Sequence, residues 1–185
     1  MLICNSLYMK IIDKGVKHMA NKKYDYSRFT IPTEIELKNG VYVLTDGERY
    51  YIGKSDDKDT GFRQRYGTYV SNKGRGVVRT SGDKFFQSSD NVKMYWLYWC
   101  NAEDVETVKD VESFFMKQYR ILHGDKLVNA NIKDSIGIMF SDVRYYFMKI
   151  EHRGNVPLLL EHGVMRPNDS PLPTSKQMYA IKQGF

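Results

Sequence analysis

The sequence predicts an α+β domain, and three observations carry that prediction. Residues 40–54 (GVYVLTDGERYYIGK) hold two β-rich runs around Asp46-Gly47. Residues 61–72 and 103–122 carry helical periodicity. Residues 92–100 (VKMYWLYWC), lying between those helices, form an aromatic, β-prone run. The order is strand, strand, helix, strand, helix. A length of 185 residues fits one domain with arms. Apolar (42%) and charged (27%) fractions are those of a globular chain and exclude collagen-like, disordered and coiled-coil readings.

The elements follow in order. The first 30 residues are mixed and basic, with Lys22, Lys23 and Arg28 among Tyr24, Tyr26 and Phe29. Met19-Ala-Asn-Lys-Lys offers an internal start, so residues 1–18 read either as an upstream extension or as an arm. Residues 2–12 are apolar but interrupted by Asn5, Ser6 and Lys10, without a charged leader or a small-residue cleavage site, which argues against a secretory signal. Pro32 marks a break before the folded part. Asp-Gly is the dipeptide of a two-residue type I′ hairpin, and that turn pairs Thr45 with Glu48. Tyr42 then faces Tyr51 directly, and Val41, Val43, Tyr50 and Ile52 take the other face.

In the next segment Phe62, Arg65 and Tyr69 share one helical stripe. Residues 73–82 read as a Gly-rich basic loop. Residues 92–100 read as a central strand, with Trp96 and Trp99 in the core. The long helix takes Asn101 as its N-cap and ends at Gly124. Two short strands fit within 136–152. Pro157, Pro167, Pro171 and Pro173 make the last 30 residues a tail with one short helix at most, near 175–182. The domain reading is a 1–35 arm, a 36–135 core and a 136–185 extension.

Composition narrows the partner. The net charge of +6 favours an anionic one. It concentrates in residues 61–84, where Arg63, Arg65, Lys73, Arg75, Arg79 and Lys84 stand against Asp83 alone. No apolar run approaches the ~18 residues that span a membrane. Cys4 and Cys100 make neither a disulfide framework nor a zinc motif, so a reduced intracellular protein is the expectation. His18, His123, His152 and His162 lack metal spacing and are assigned no chemistry.

One residue breaks its pattern. The long helix has a stripe at Val105, Val108, Glu112, Phe115, Tyr119 and Leu122. A carboxylate on such a face must be paired, reach solvent, or bind a cation, because burying it alone costs several kcal/mol. The readings are a salt bridge to an arginine, or a metal ligand or general base in a cleft.

Together these residues resemble the GIY-YIG nucleases. Gly40-Val41-Tyr42 stands where that family has GIY, and Tyr51-Ile52-Gly53 is a literal YIG. Arg65 on the first helix, a hydroxyl four residues on (Tyr69), Glu112 on the second long helix and Asn129 after it continue the pattern over about residues 38–132. Tyr69 replaces the histidine of many members, and Lys54 follows YIG. That pair resembles the type II restriction branch more than the homing branch.

The resemblance implies a small core with a central three-stranded antiparallel sheet flanked by helices. It implies a sequence-specific double-stranded DNA endonuclease that hydrolyses phosphodiesters with one Mg²⁺, or Mn²⁺ in its place. Tyr42 would orient or deprotonate the water, with Lys54 and Arg65 as the cations that a phenolate needs. Arg65 would clamp the phosphate, since its planar fork matches two oxygens. Tyr51 and Tyr69 would bond water or phosphate, and Glu112 would be the sole protein ligand of the metal. Gly53 would let the backbone pass close to a helix or DNA, and Asn129 (or Asn131) would brace the site. Arg63, which competes with Arg65 for the phosphate, and Lys73, Arg75, Arg79 and Lys84 would hold duplex DNA. A symmetric target implies a homodimer, a cytoplasmic location in a bacterium or phage-infected cell, and a cognate DNA methyltransferase. The alternatives are a homing endonuclease, a structure-specific repair nuclease, and an inactive DNA-binding protein on the same fold.

Overall fold

A computed structural model describes residues 25–56, 61–101, 105–129 and 153–165. The chain is α+β, with a three-stranded antiparallel sheet in the order β2-β1-β3, flanked by helices. Its elements are β1 (Asn39–Thr45), β2 (Tyr50–Ser55), α1 (Gly61–Gly74), α2 (Ser81–Ser88), β3 (Lys93–Cys100), α3 (Val105–His123), a 3₁₀ turn (Gly124–Lys126) and α4 (Val156–Glu161). The strands expected within 136–152, the helix near 175–182, Asn131, and Cys4, His18 and His152 lie outside the described residues.

β1 is the central strand, and all seven of its residues are buried. Among the described residues, the aromatic run expected to be central is instead an outer strand, β3. The reason is burial on two faces: β1 packs Val41 and Val43 on one side and Tyr42 and Leu44 on the other. β3 leaves Trp96 and Trp99 half-buried against the second cluster rather than in the core. Among the described residues, backbone bonds from Thr30 to Met94 and from Asn155 to Leu97 lie along β3, and Val128 donates to Tyr50 at 2.8 Å along β2.

The hairpin register differs from the expected one by two residues. Thr45 pairs with Tyr50, and Tyr42 lies opposite Gly53, not Tyr51. The loop is four residues long because Asp46 closes it. Its Oδ1 accepts from the Glu48 and Arg49 amides at 3.1 and 2.8 Å, and its Oδ2 takes the Arg49 guanidinium at 2.7 Å. A slip of two preserves the alternation of faces, so Tyr42 and Tyr51 still share one side, now as diagonal neighbours.

The two sheet faces build two cores. α3 lays Val108, Val111, Phe115 and Tyr119 on the face of Val41, Val43 and Ile52. Leu122, expected on that stripe, is 45% exposed. His123 takes the buried side of the last turn instead, with its ring 4.5 Å from that of Tyr50. α4 seals this end, burying Leu158 and Leu159. The Tyr119 hydroxyl meets His162 Nδ1 at 2.6 Å, and His123 Nε2 donates to the His162 carbonyl at 3.0 Å. Burial lowers both imidazoles below their ordinary range. The presumed tail is therefore docked where it begins.

α1 and α2 cover the opposite face. α2 occupies part of the segment read as a basic loop. Its start is a capping box, in which Asp83 N–H donates to Thr80 Oγ1 while Asp83 Oδ2 accepts from Thr80 N. Asp83 is 2% exposed, and its Oδ1 accepts from Asn72 Nδ2 at 2.9 Å, tying α2 to α1. Burial alone would raise this carboxyl, but the bonds from Asn72, Thr80 and Arg79 overcome it and hold it below the usual range. A carboxyl lowered by folding stabilises above its unfolded value and ceases to as pH falls through its folded one. Asp83→Ala is expected to cost about 2–3 kcal/mol at pH 7, through lost charged hydrogen bonds and a lost cap. Denaturant melts at two pH values check this: the deficit should shrink below pH ~4, and a pH-independent deficit would contradict it.

Candidate active site

Side chains from β1, β2, α1 and α2 meet around Tyr42 and Gly53. Tyr42 is fully buried, and its hydroxyl meets that of Tyr69, on α1, at 2.7 Å. Their rings stand edge to face at 6.2 Å. Gly53 makes this possible: a Cβ there would lie 2.4 Å from the Tyr42 hydroxyl oxygen and 2.5 Å from its Cζ. The close approach that Gly53 allows among the described residues is that of the Tyr42 ring rather than of a helix. Tyr51 lies half-buried against the same cluster.

Arg65 extends from α1 and donates from Nε to the Lys54 carbonyl at 3.2 Å. The Tyr42 phenol raises its pKa most, against the lowering effect of its own burial. It lines a cleft of about 140 Å³ with Ser55, Asp56, Gly61, Gln64 and Thr68. Lys54 is ion-paired with Asp56. Asp56 was not singled out in the sequence. Its acidic position two residues after the lysine was the available signal.

Glu112 lies half-buried on α3, and among the described residues no ion pair includes it. The arginine salt bridge is thus not formed there. Burial raises its carboxyl above the usual range, and the charge of Asp56 adds to that, while Lys54 and Arg65 oppose it. Desolvation likewise drives the Tyr42 phenol far up and the Tyr69 and Tyr51 phenols up, with the charge of Glu112 contributing at Tyr42 and Tyr51. Three phenols, one guanidinium and one half-buried carboxylate therefore share one electrostatic neighbourhood.

Asn129 braces β2. Its side chain accepts from Ile52 N at 2.9 Å and donates to Ile52 O at 2.7 Å, completing the strand's edge as a neighbouring backbone would.

The basic residues divide into two groups. Arg63 is held at 2.8 Å by Glu36 and lies over the Tyr26 ring, whereas Arg65 lines the cleft. Lys73 pairs with Asp90, and Arg75 donates to Asn72 Oδ1 at 3.0 Å and to the Ser71 carbonyl. Arg79 and Lys84 are exposed, and among the described residues no ion pair includes them. Lys84 stands on α2, not in a loop.

Among the described residues there is no group of three or more His, Cys, Asp or Glu that could hold a metal, and Cys100 is buried. No helix among them is long and apolar enough to cross a membrane. No family model, curated protein or solved structure matches the chain.

Proposed function

We propose that this chain is a metal-dependent, sequence-specific DNA endonuclease of GIY-YIG type, acting as a restriction enzyme. The observation that carries the reading is the Tyr42–Tyr69 hydroxyl pair at 2.7 Å, Arg65 lining the adjoining cleft, and a half-buried carboxylate, Glu112, that no ion pair includes among the described residues. Burial keeps that carboxyl raised even against the charges of Lys54 and Arg65, so a cation bound there would offset the cost. One hard oxygen ligand of this kind, with other positions open, suits Mg²⁺ or Mn²⁺. Glu112 would hold the ion, which when bound supplies charge relief at the non-bridging and leaving oxygens of the scissile phosphate.

The chain's own residues do the rest. Arg65 sits at the cleft and offers paired N–H donors to two phosphate oxygens. Tyr51, the least buried of the three tyrosines, reaches the attacking water or the phosphate. Burial penalises the Tyr42 and Tyr69 phenolates, so their hydroxyls would serve as hydrogen-bonding groups that fix the water's position. Deprotonation of the water by Tyr42 would need Lys54, Arg65 and the bound ion to stabilise its phenolate. Release of Lys54 from Asp56 would free an ammonium beside the phosphate. Exposed Arg79 and Lys84 would contact the backbone of duplex DNA. A homodimer acting on a symmetric site, and a methyltransferase protecting host DNA, belong to the same proposal.

Digestion of plasmid and phage DNA with Mg²⁺ or chelator tests it. Discrete bands from long DNA are expected. One rare long site would mean a homing enzyme, cutting of branched DNA alone a repair enzyme, and binding without cutting in either metal an inactive binder.

A further inference from the structure

The resemblance gives no role to Gly82, and neither periodicity nor charge pointed to it. It lies in the first turn of α2. A Cβ there would stand 2.5 Å from the Tyr69 hydroxyl oxygen, and 2.9 and 3.0 Å from Cε1 and Cζ of the Tyr51 ring. Ordinary carbon contacts begin near ~3.5 Å. Neither partner can withdraw. The Tyr69 ring stacks on Phe86 at 5.3 Å, and its hydroxyl is bonded to Tyr42 at 2.7 Å. α2 is pinned by Asp83, whose carboxylate takes Asn72 Nδ2 at 2.9 Å and the Arg79 and Thr80 amides at 3.1 and 2.9 Å.

Gly82 is not among the glycines with positive φ, so its backbone does not demand glycine. Within a helix glycine costs about 0.5–1 kcal/mol relative to alanine. What requires it is the close approach of the tyrosines.

We propose that Gly82 is a positioning residue for the cleavage step. By carrying no side chain it lets Tyr69 and Tyr42 close on each other at the site, and so controls the rate of bond breaking rather than the affinity for DNA. The rate half of this inference rests on the nuclease reading; the geometric half does not.

Gly82→Ala in the full chain tests both halves through single-turnover cleavage, DNA affinity and ¹³C resonances of the tyrosine Cζ atoms. Misplacing reacting groups by ~1 Å costs up to about 100-fold, so cleavage should slow at least ~10-fold while the Kd for DNA stays within ~2-fold. The Cζ resonances of Tyr42 and Tyr69 should shift. In a Tyr51→Ala, Tyr69→Phe background, which removes both the ring and the oxygen the new methyl would strike, Gly82→Ala should slow cleavage by no more than ~3-fold further.

Unchanged rate and resonances, in a wild type that cleaves, would overturn the positioning role and leave the nuclease reading standing. Rate and affinity falling in parallel would also overturn it. A wild type that cleaves nothing, with resonances shifted by the alanine, would overturn the nuclease reading and the rate half, and support the hold of Gly82 on the tyrosine pair. Should Gly82→Ala not fold, recovery of folding in the Tyr51→Ala, Tyr69→Phe background supports the contact, and failure to recover overturns it.

Discussion

Glu112→Gln is expected to abolish DNA cleavage, lowering the rate at least ~10³-fold, while DNA affinity in the absence of metal is unchanged or improved. A metal supplies several kcal/mol of charge stabilisation at a transferring phosphate, and each ~1.4 kcal/mol is tenfold in rate. The same substitution should leave the fold intact or slightly more stable. Burial raises the Glu112 carboxyl above its ordinary range. A carboxyl raised by folding costs stability where it is ionised, and that cost disappears as pH falls through its folded value. Removing the charge at neutral pH therefore relieves the fold while emptying the site of its ligand. Thermal melts beside single-turnover cleavage check both halves. Retained cleavage would refute the metal assignment, and a large loss of stability would mean Glu112 has a structural partner.

Arg65→Ala is the second large effect, with an expected loss of ~10²–10³ in kcat, the scale seen when one preorganised donor to a developing anion is removed. Arg65→Lys should recover little, because an ammonium cannot reproduce the paired donors of a guanidinium. Nor can it reproduce the Nε bond to the Lys54 carbonyl. Arg63→Ala is the control. Its guanidinium is engaged by Glu36, so it should change kcat by less than ~3-fold. Equal losses at the two positions would contradict the geometry that separates them.

The parts legible in the sequence are those written as periodicity. Alternation around Asp46-Gly47 marked the hairpin, and the stripe of Phe62, Arg65 and Tyr69 placed an arginine and a hydroxyl on one helical face. The displaced acid in the α3 stripe drew attention to Glu112 because a carboxylate among hydrophobes needs a reason.

What escaped was written in side-chain hydrogen bonds. Loop length was set by Asp46 gripping Arg49, so a dipeptide rule gave a register wrong by two. α2 was hidden because Gly74, Gly76 and Gly82 read as a loop. Yet Thr80 and Asp83 have capping-box spacing, with aspartate where glutamate is usual. α4 was hidden by its proline, although Asn155 as N-cap with proline at the helix start is itself a start signal. The order of β1 and β3 followed from burial on both faces, and the aromatic richness of β3 disguised its outer place among the described strands.

The central claim is that these residues cut DNA with a divalent cation. The measurement that meets it most directly is incubation of wild-type protein with supercoiled plasmid across a titration of Mg²⁺ and Mn²⁺, followed by end analysis of the products. The account predicts linear or nicked DNA that appears with metal, stops with chelator, and carries 5′-phosphate and 3′-hydroxyl ends that a DNA ligase reseals. Plasmid left intact in both metals by protein that binds it tightly would contradict the account.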